Sequence, residues 1–338
     1  MSGTVDVDEL KTLGRSAGLD AIGIAPATPF EGTRRDLHTR RDAGLHGGMS
    51  FTYRNPERST DPGRALPGAQ SLVVGALAYR PPVPPRSGAR VAAYAVDDHY
   101  AHLRTALGVV AERLHDAGFD TRVLVDDNAL VDREAAYRAG IGWYGKSTNL
   151  LLPGRGSWFV LGAVVTTAPL RADEPVDDGC GSCRRCIDGC PTGAIIAPGV
   201  VDARRCLAWL LQARGDFPLE FREALGDRMY GCDDCQEVCP PNRRVASQTD
   251  ASARDGVDIV ELLAADDETI VREYGRWYIA DRDPRYVRRN ALVVLGNTAA
   301  ADDPAARATL DRYVEHPDPM LRSHAEWAAR RVTARAER

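Results

Sequence analysis

Long apolar runs and lysine are what this chain has little of. No hydrophobic stretch approaches the roughly 18 residues of a membrane span, and the opening MSGTVDVDELKTLGRSAG has no secretory apolar core. Arg34-Arg35 is not followed by an apolar stretch, which argues against twin-arginine export. The cytoplasm, where disulfides are rare, is the expected compartment, with no membrane contact. No G-x-G-x-x-G follows a strand pattern, which disfavours a Rossmann cofactor site; GIGWYGKS (140–147) spells G-x-x-x-x-G-K-S, but it follows the helix expected near 129–139 with no strand leading into it, which disfavours a P-loop. Of 43 basic residues only Lys11 and Lys146 are lysine, so a lysine kept at 146 is one that chemistry could need. The net charge of −5 does not describe a protein coated in nucleic acid. Residues 276–338, however, hold 12 Arg against 9 Asp and Glu, and Arg pairs recur at 184–185, 204–205, 243–244, 288–289 and 330–331.

What is present is cysteine in bursts. CGSCRRCIDGCP (180–191) is C-x2-C-x2-C-x3-C-P, the bacterial ferredoxin run, whose fourth thiolate ligates the other cluster. Zinc sites instead pair two knuckles across a long gap. The second burst, CDDCQEVCP (232–240), has three cysteines, and Met229 stands where a fourth would be. Two cubes need eight thiolates, the bursts supply seven, and Cys206 is the remaining candidate. The crossed assignment puts Cys180, Cys183, Cys186 and Cys239 on one [4Fe–4S] cluster. Cys190, Cys206, Cys232 and Cys235 take the other.

Around the cysteines, 338 residues suffice for two or three domains. Periodicity predicts helices over 6–17, 98–117 and near 129–139, and strands over 71–79, 121–127 and 157–170. PPVPP (81–85) breaks the chain into a loop. An α/β domain is expected over 1–172 and a two-cluster ferredoxin-like domain over 173–245. The tail, 246–338, is expected to be α-helical: DPRYVRRNALVVLGN (283–297) and DPMLRSHAEWAARR (318–331) resemble each other at a 34-residue offset. That pattern fits HEAT-like repeats or an ordinary helical hairpin. A ferredoxin needs no such first domain, so the clusters are expected to feed an acceptor held there. The D-x-H-x-x-G of His-on cobalamin enzymes is missing, since DLHTRR (36–41) fails at its glycine.

Together, GCGSCRRCIDGCPTGAI, VDARRC with Cys206, YGCDDCQEVCP, VDDNALVDREAAYRAGIGWYGKSTNLL (125–151) and ERSTDPGRALPGAQSLV (57–73) resemble the epoxyqueuosine reductase family. The resemblance runs over about 5–245. It implies a base-off cobalamin in the first domain, reduced through the two clusters by an external low-potential electron donor. It also implies reduction of the epoxide of epoxyqueuosine, at the wobble position of a tRNA, to the alkene of queuosine. The family's proton donor falls at Asp126; the bland alternative is that Asp126 or Asp127 caps the following helix. Arg58 matches a cobalamin-contacting position, and Lys146, Ser147 and Asn149 are candidates for corrin or phosphate contacts. The family's Arg before Asp-Tyr-His is Ala93 here. The Arg pairs, Arg288 and Arg289 among them, are candidates for tRNA docking, and a monomer is expected. A reductive dehalogenase and a plain electron carrier are the alternatives.

Overall fold

The computed structural model describes residues 5–79, 87–247 and 256–337; the break expected at 81–85 lies outside them. Strands β1 (Ala21–Pro26), β2 (Ser71–Ala78), β3 (Thr121–Val125) and β4 (Phe159–Thr166) form one sheet in the order β1-β2-β4-β3. Every neighbouring pair is antiparallel. The α/β expectation for this region is therefore corrected to α+β. Its cause is physical: β2 and β4 are buried almost end to end, and helices cover both sheet faces. Continuous apolar strands between helices usually mark a parallel sheet, but burial on both faces writes that pattern whichever way the strands run.

Of helices α1 (Val7–Ser16), α2 (Glu31–Asp42), α3 (His99–Asp116) and α4 (Asp132–Arg138), all but α2 pack on the sheet, while α2 packs on the short turns at 52–59. Leu10 of α1 and Leu103, Leu107, Val110 and Leu114 of α3 pack on one face against Ile24, Val73 and Val164. Ala135 and Ala136 of α4 pack on the other, against Leu72, Val74 and Ala163. Each fully buried leucine contributes about 1.5–3 kcal/mol. Gly75 and Gly162 are cross-strand partners, and a β-carbon on either would crowd Leu107, at 3.0 and 2.8 Å. Their bareness lets α3 lie close on the sheet, where Arg104 donates to the Val125 carbonyl at 2.9 Å.

Both lysines tie the linker and the first cysteine loop to this domain. Lys11 Nζ bonds Asp173 at 2.6 Å, and Lys146 Nζ bonds the Gly181 carbonyl at 2.6 Å. The C-terminal helices α5 (Pro284–Thr298), α6 (Pro304–Val314) and α7 (Pro319–Ala336) each start with Asp-Pro, the aspartate capping the first turn. The aligned positions Ala291/Ala325 and Val294/Ala328 are all fully buried. They join Leu207, Leu211, Phe217 and Leu225 in one core. Met229 sits in that core with no exposed surface, so the position of the missing cysteine holds a packing residue. Among the described residues no helix is long and apolar enough to cross a membrane.

Candidate active site and metal centres

The eight cysteines form no disulfide. They gather in two groups of four. Cys186 has Cys180 and Cys183 as electrostatic neighbours, and Cys239 has all three. Cys235 has Cys232, Cys206 and Cys190 as its neighbours, with Cys206 also beside Cys232. Among the described residues no three His, Cys, Asp or Glu side chains converge as a single ion requires. A cube spreads its thiolates over four iron corners. Burial pushes the Cys232 thiol up to about 12 and raises that of Cys235 strongly as well. Such thiols stay neutral alone, and iron supplies the positive charge that a buried thiolate set needs.

The second group is the more enclosed, and hydrogen bonds point at it. Ala194 N donates to Cys190 Sγ at 3.2 Å, and Asn149 Nδ2 to Cys235 Sγ at 3.7 Å. Cys206 leads into the short helix Leu207–Leu210, whose Leu210 N returns to the Cys206 carbonyl at 2.9 Å.

Asp126 follows β3 with φ +51°, a left-handed conformation that aspartate tolerates better than most residues. Neither Asp126 nor Asp127 caps α4: the helix starts at Asp132, and Asp127 closes a local turn onto Ala129 N at 2.8 Å. The Asp126 carboxyl makes no hydrogen bond among the described residues. It is open to solvent on one side yet crowded on the others. Desolvation first, and then the charge of Asp132, push its pKa above the ordinary carboxylate value, against the pull of Arg104. Tyr100 and Tyr230 are held neutral by burial, each also feeling Asp126.

Sequence reasoning missed Arg133, whose charge reaches both this carboxylate group and the second thiol group. Its charge is felt by Asp132, Tyr100 and Cys206, and its guanidinium donates to the Thr148 carbonyl at 3.2 Å. Nothing in DREAAYR distinguishes it from a surface arginine.

The other expected contacts divide. Lys146 spends its ammonium on the Gly181 and Cys183 carbonyls, at 2.6 and 3.0 Å, and Asn149 faces Cys235. Both side chains thus point to the thiols, whereas corrin or phosphate had been expected. Ser147 is half-buried in the same turn, with no hydrogen bond of its side chain among the described residues. Arg58 is exposed on the turn Pro56–Ser59, which reaches α4 through Val131 N to the Ser59 carbonyl at 2.9 Å. Ala93 is buried, and its N–H donates to Asp233 Oδ2 at 2.8 Å. The run GIGWYG (140–145) follows α4 and enters the hairpin Trp143–Tyr144/Leu150–Leu151, so it offers no helix N-terminus to a pyrophosphate.

The tRNA-docking expectation for Arg288 and Arg289 is corrected. Arg289 is 0% exposed and Arg288 8%. Arg289 donates to the carbonyls of Leu210, Leu211, Ala213 and Gly215, and Arg288 to Asp267 and the Ala265 carbonyl. They are internal ties. A cavity of about 1580 Å³ is lined by Tyr79, Ala93, His99, Cys232, Asp233 and Trp277 among others, and Asp126 is not part of its wall.

Residues 179–242 match the 4Fe-4S double cluster binding domain family. Epoxyqueuosine reductase of Bacillus cereus is 32% identical, over 97% of this chain and 90% of that protein. The Vibrio cholerae enzyme is 34% identical, over 96% and 92%. The chain belongs to the epoxyqueuosine reductase family. A crystal structure of a family member with an epoxyqueuosine-modified tRNA-Tyr stem loop is similar with TM-score 0.86 at 32% identity, covering 98% of this chain and 91% of that one. A Bacillus subtilis member, described with its catalytic aspartate loop swung out of the active site, gives TM-score 0.84 at 31% identity, over 98% and 91%.

Proposed function

We propose that this chain reduces the epoxide of epoxyqueuosine in tRNA to the alkene of queuosine, by epoxide + 2e⁻ + 2H⁺ → alkene + water. The observation that carries this reading is the pairing of two four-thiol groups with a carboxyl of raised pKa, the charge of Arg133 reaching both Asp132 and Cys206. Two [4Fe–4S] clusters supply one-electron transfer from an external low-potential donor, and a cobalamin supplies the centre at which two electrons are gathered.

Cys180, Cys183, Cys186 and Cys239 would hold the outer cluster, and Cys190, Cys206, Cys232 and Cys235 the inner one. The exposed Arg58 and the polar turn at Ser147 would meet the cobalamin's polar side chains. Asp126 holds the proton. An epoxide oxygen leaves poorly as an alkoxide, and a carboxyl whose pKa is raised by desolvation and by Asp132 can deliver H⁺ to it. Tyr100, neutral and adjacent, can orient the same oxygen by hydrogen bonding. Arg133 offsets the negative charge that Asp132 and the inner thiolates bring together.

For tRNA, an unstacked anticodon base would enter at Asp126, as enzymes reach nucleobases generally. The test is incubation of the reconstituted protein with epoxyqueuosine-containing tRNA and a chemical reductant, followed by nucleoside mass analysis. Loss of one oxygen from the modified nucleoside is expected. An unchanged nucleoside, with both clusters and a corrinoid spectrum in place, would overturn the assignment.

A further inference from the structure

The ammonium of Lys146 has been accounted for by geometry but not by chemistry. It stands in the turn 145–149, closed by Gly145 N to the Asn149 carbonyl at 2.8 Å and Thr148 N to the Gly145 carbonyl at 2.9 Å. Thr148 has φ +69°, and the Lys146 carbonyl accepts from Gly199 N at 3.0 Å, so the turn is braced from two sides. From there Nζ reaches into the first cysteine loop and donates to the carbonyls of Gly181 and Cys183. Lys146 is half-buried, and among the described residues no carboxylate pairs with it. Arg184, the nearest charged neighbour in the loop's sequence, is instead engaged with Asp188 at 3.7 Å.

We propose that Lys146 is an electrostatic tuning residue for the outer [4Fe–4S] cluster, raising its reduction potential. The inference rests on the reading that Cys180, Cys183, Cys186 and Cys239 bind that cluster. Four thiolates make an oxidised cube a dianion and its one-electron reduced form a trianion. A fixed positive charge hydrogen-bonded into the ligand loop stabilises the trianion more, because the interaction grows with the charge it meets. Partial burial keeps water and salt from screening it. A compact point charge with rotatable donors can bond two carbonyls inside a tight loop. Charge around a cluster is one of the protein's levers on its potential.

The test is an EPR-monitored redox titration of the reconstituted holoprotein, with iron content measured first. In K146Q, which keeps a donor but no charge, the reduced-to-oxidised ratio of the outer cluster at a fixed ambient potential should fall by about tenfold. For a one-electron couple that is a shift of about 59 mV to more negative potential. The inner cluster should stay where it is, and K146R should restore the wild-type midpoint. An unmoved outer midpoint in K146Q, an equal shift of both clusters, or no difference between K146R and K146Q would overturn the proposal. Loss of the outer cluster's iron in K146Q would overturn it too, since that result makes Lys146 an anchor of the loop. A wild-type protein without two reducible clusters would instead overturn the underlying cluster reading.

Discussion

Replacing Arg289 with methionine separates an internal tie from a nucleic-acid contact. Among the described residues the guanidinium has no carboxylate partner, and burial lowers its pKa to about 10, so it is still charged at neutral pH. It is held by carbonyls at the end of the short helix that follows Cys206: Leu210 at 3.0 Å, Ala213 at 2.7 Å and Gly215 at 2.6 Å. The negative end of that helix favours a cation there. In the methionine variant the Leu211 carbonyl keeps Asn290 as its donor, at 2.8 Å, while the other three lose theirs. Only the Leu210 carbonyl belongs to a buried residue, and leaving it orphaned costs about 1–3 kcal/mol, whereas water can reach Ala213 and Gly215. Removing a charge buried without a counter-ion offsets part of that. A net loss of about 1–2 kcal/mol follows, read as an earlier urea midpoint. Affinity for tRNA plotted against salt should keep its slope, because no phosphate contact has gone. A variant with wild-type stability and a log–log salt slope reduced by about 0.7–0.9 would refute this reasoning and return Arg289 to the docking surface.

Cys206→Ala should abolish the inner cluster's EPR signal, leave the outer cluster intact, and remove about half of the bound iron; retention of both signals would show that another group completes the second cube. His324 predicts a pH dependence. It is 0% exposed, its Nε2 accepts from Arg222 and from Phe217 N, and its pKa lies at about 4 instead of 6.5. Below about 6.5 the unfolded chain takes up a proton that the folded chain refuses. Stability therefore falls as pH drops from about 6.5 toward 4, by up to about 3 kcal/mol. His324→Gln should flatten this part of a urea-midpoint profile, and an unchanged slope would contradict it.

The cysteine code was the most legible part of the molecule, because cluster ligation demands fixed spacing and leaves a countable vacancy. Met229 marked the vacancy, and Cys206 stands among the thiols of the second group. Strand direction was not legible, since burial on both faces erases the alternation that marks most antiparallel sheets. Charge was the least legible. Arg288-Arg289 reads as a basic patch, yet both lie inside, because backbone carbonyls at chain ends attract guanidinium as well as phosphates do. Arg133 illustrates the reverse case: an ordinary arginine becomes central only when α4 is docked on the sheet. The Lys146 and Asn149 side chains were noticed for their loop, but their direction toward the thiols depends on a fold that brings 145–149 against 181–235.

The most direct test of the account is turnover by Asp126→Asn. Asparagine keeps the shape at the end of β3 but has no acidic proton to give. The variant should bind both clusters and cobalamin as the wild type does, while conversion of epoxyqueuosine tRNA falls by at least about 10²-fold. In the wild type, the rate should decline as pH rises through the elevated Asp126 pKa, since the protonated form is the active one. Near wild-type turnover by Asp126→Asn would contradict the central claim that the epoxide receives its proton there.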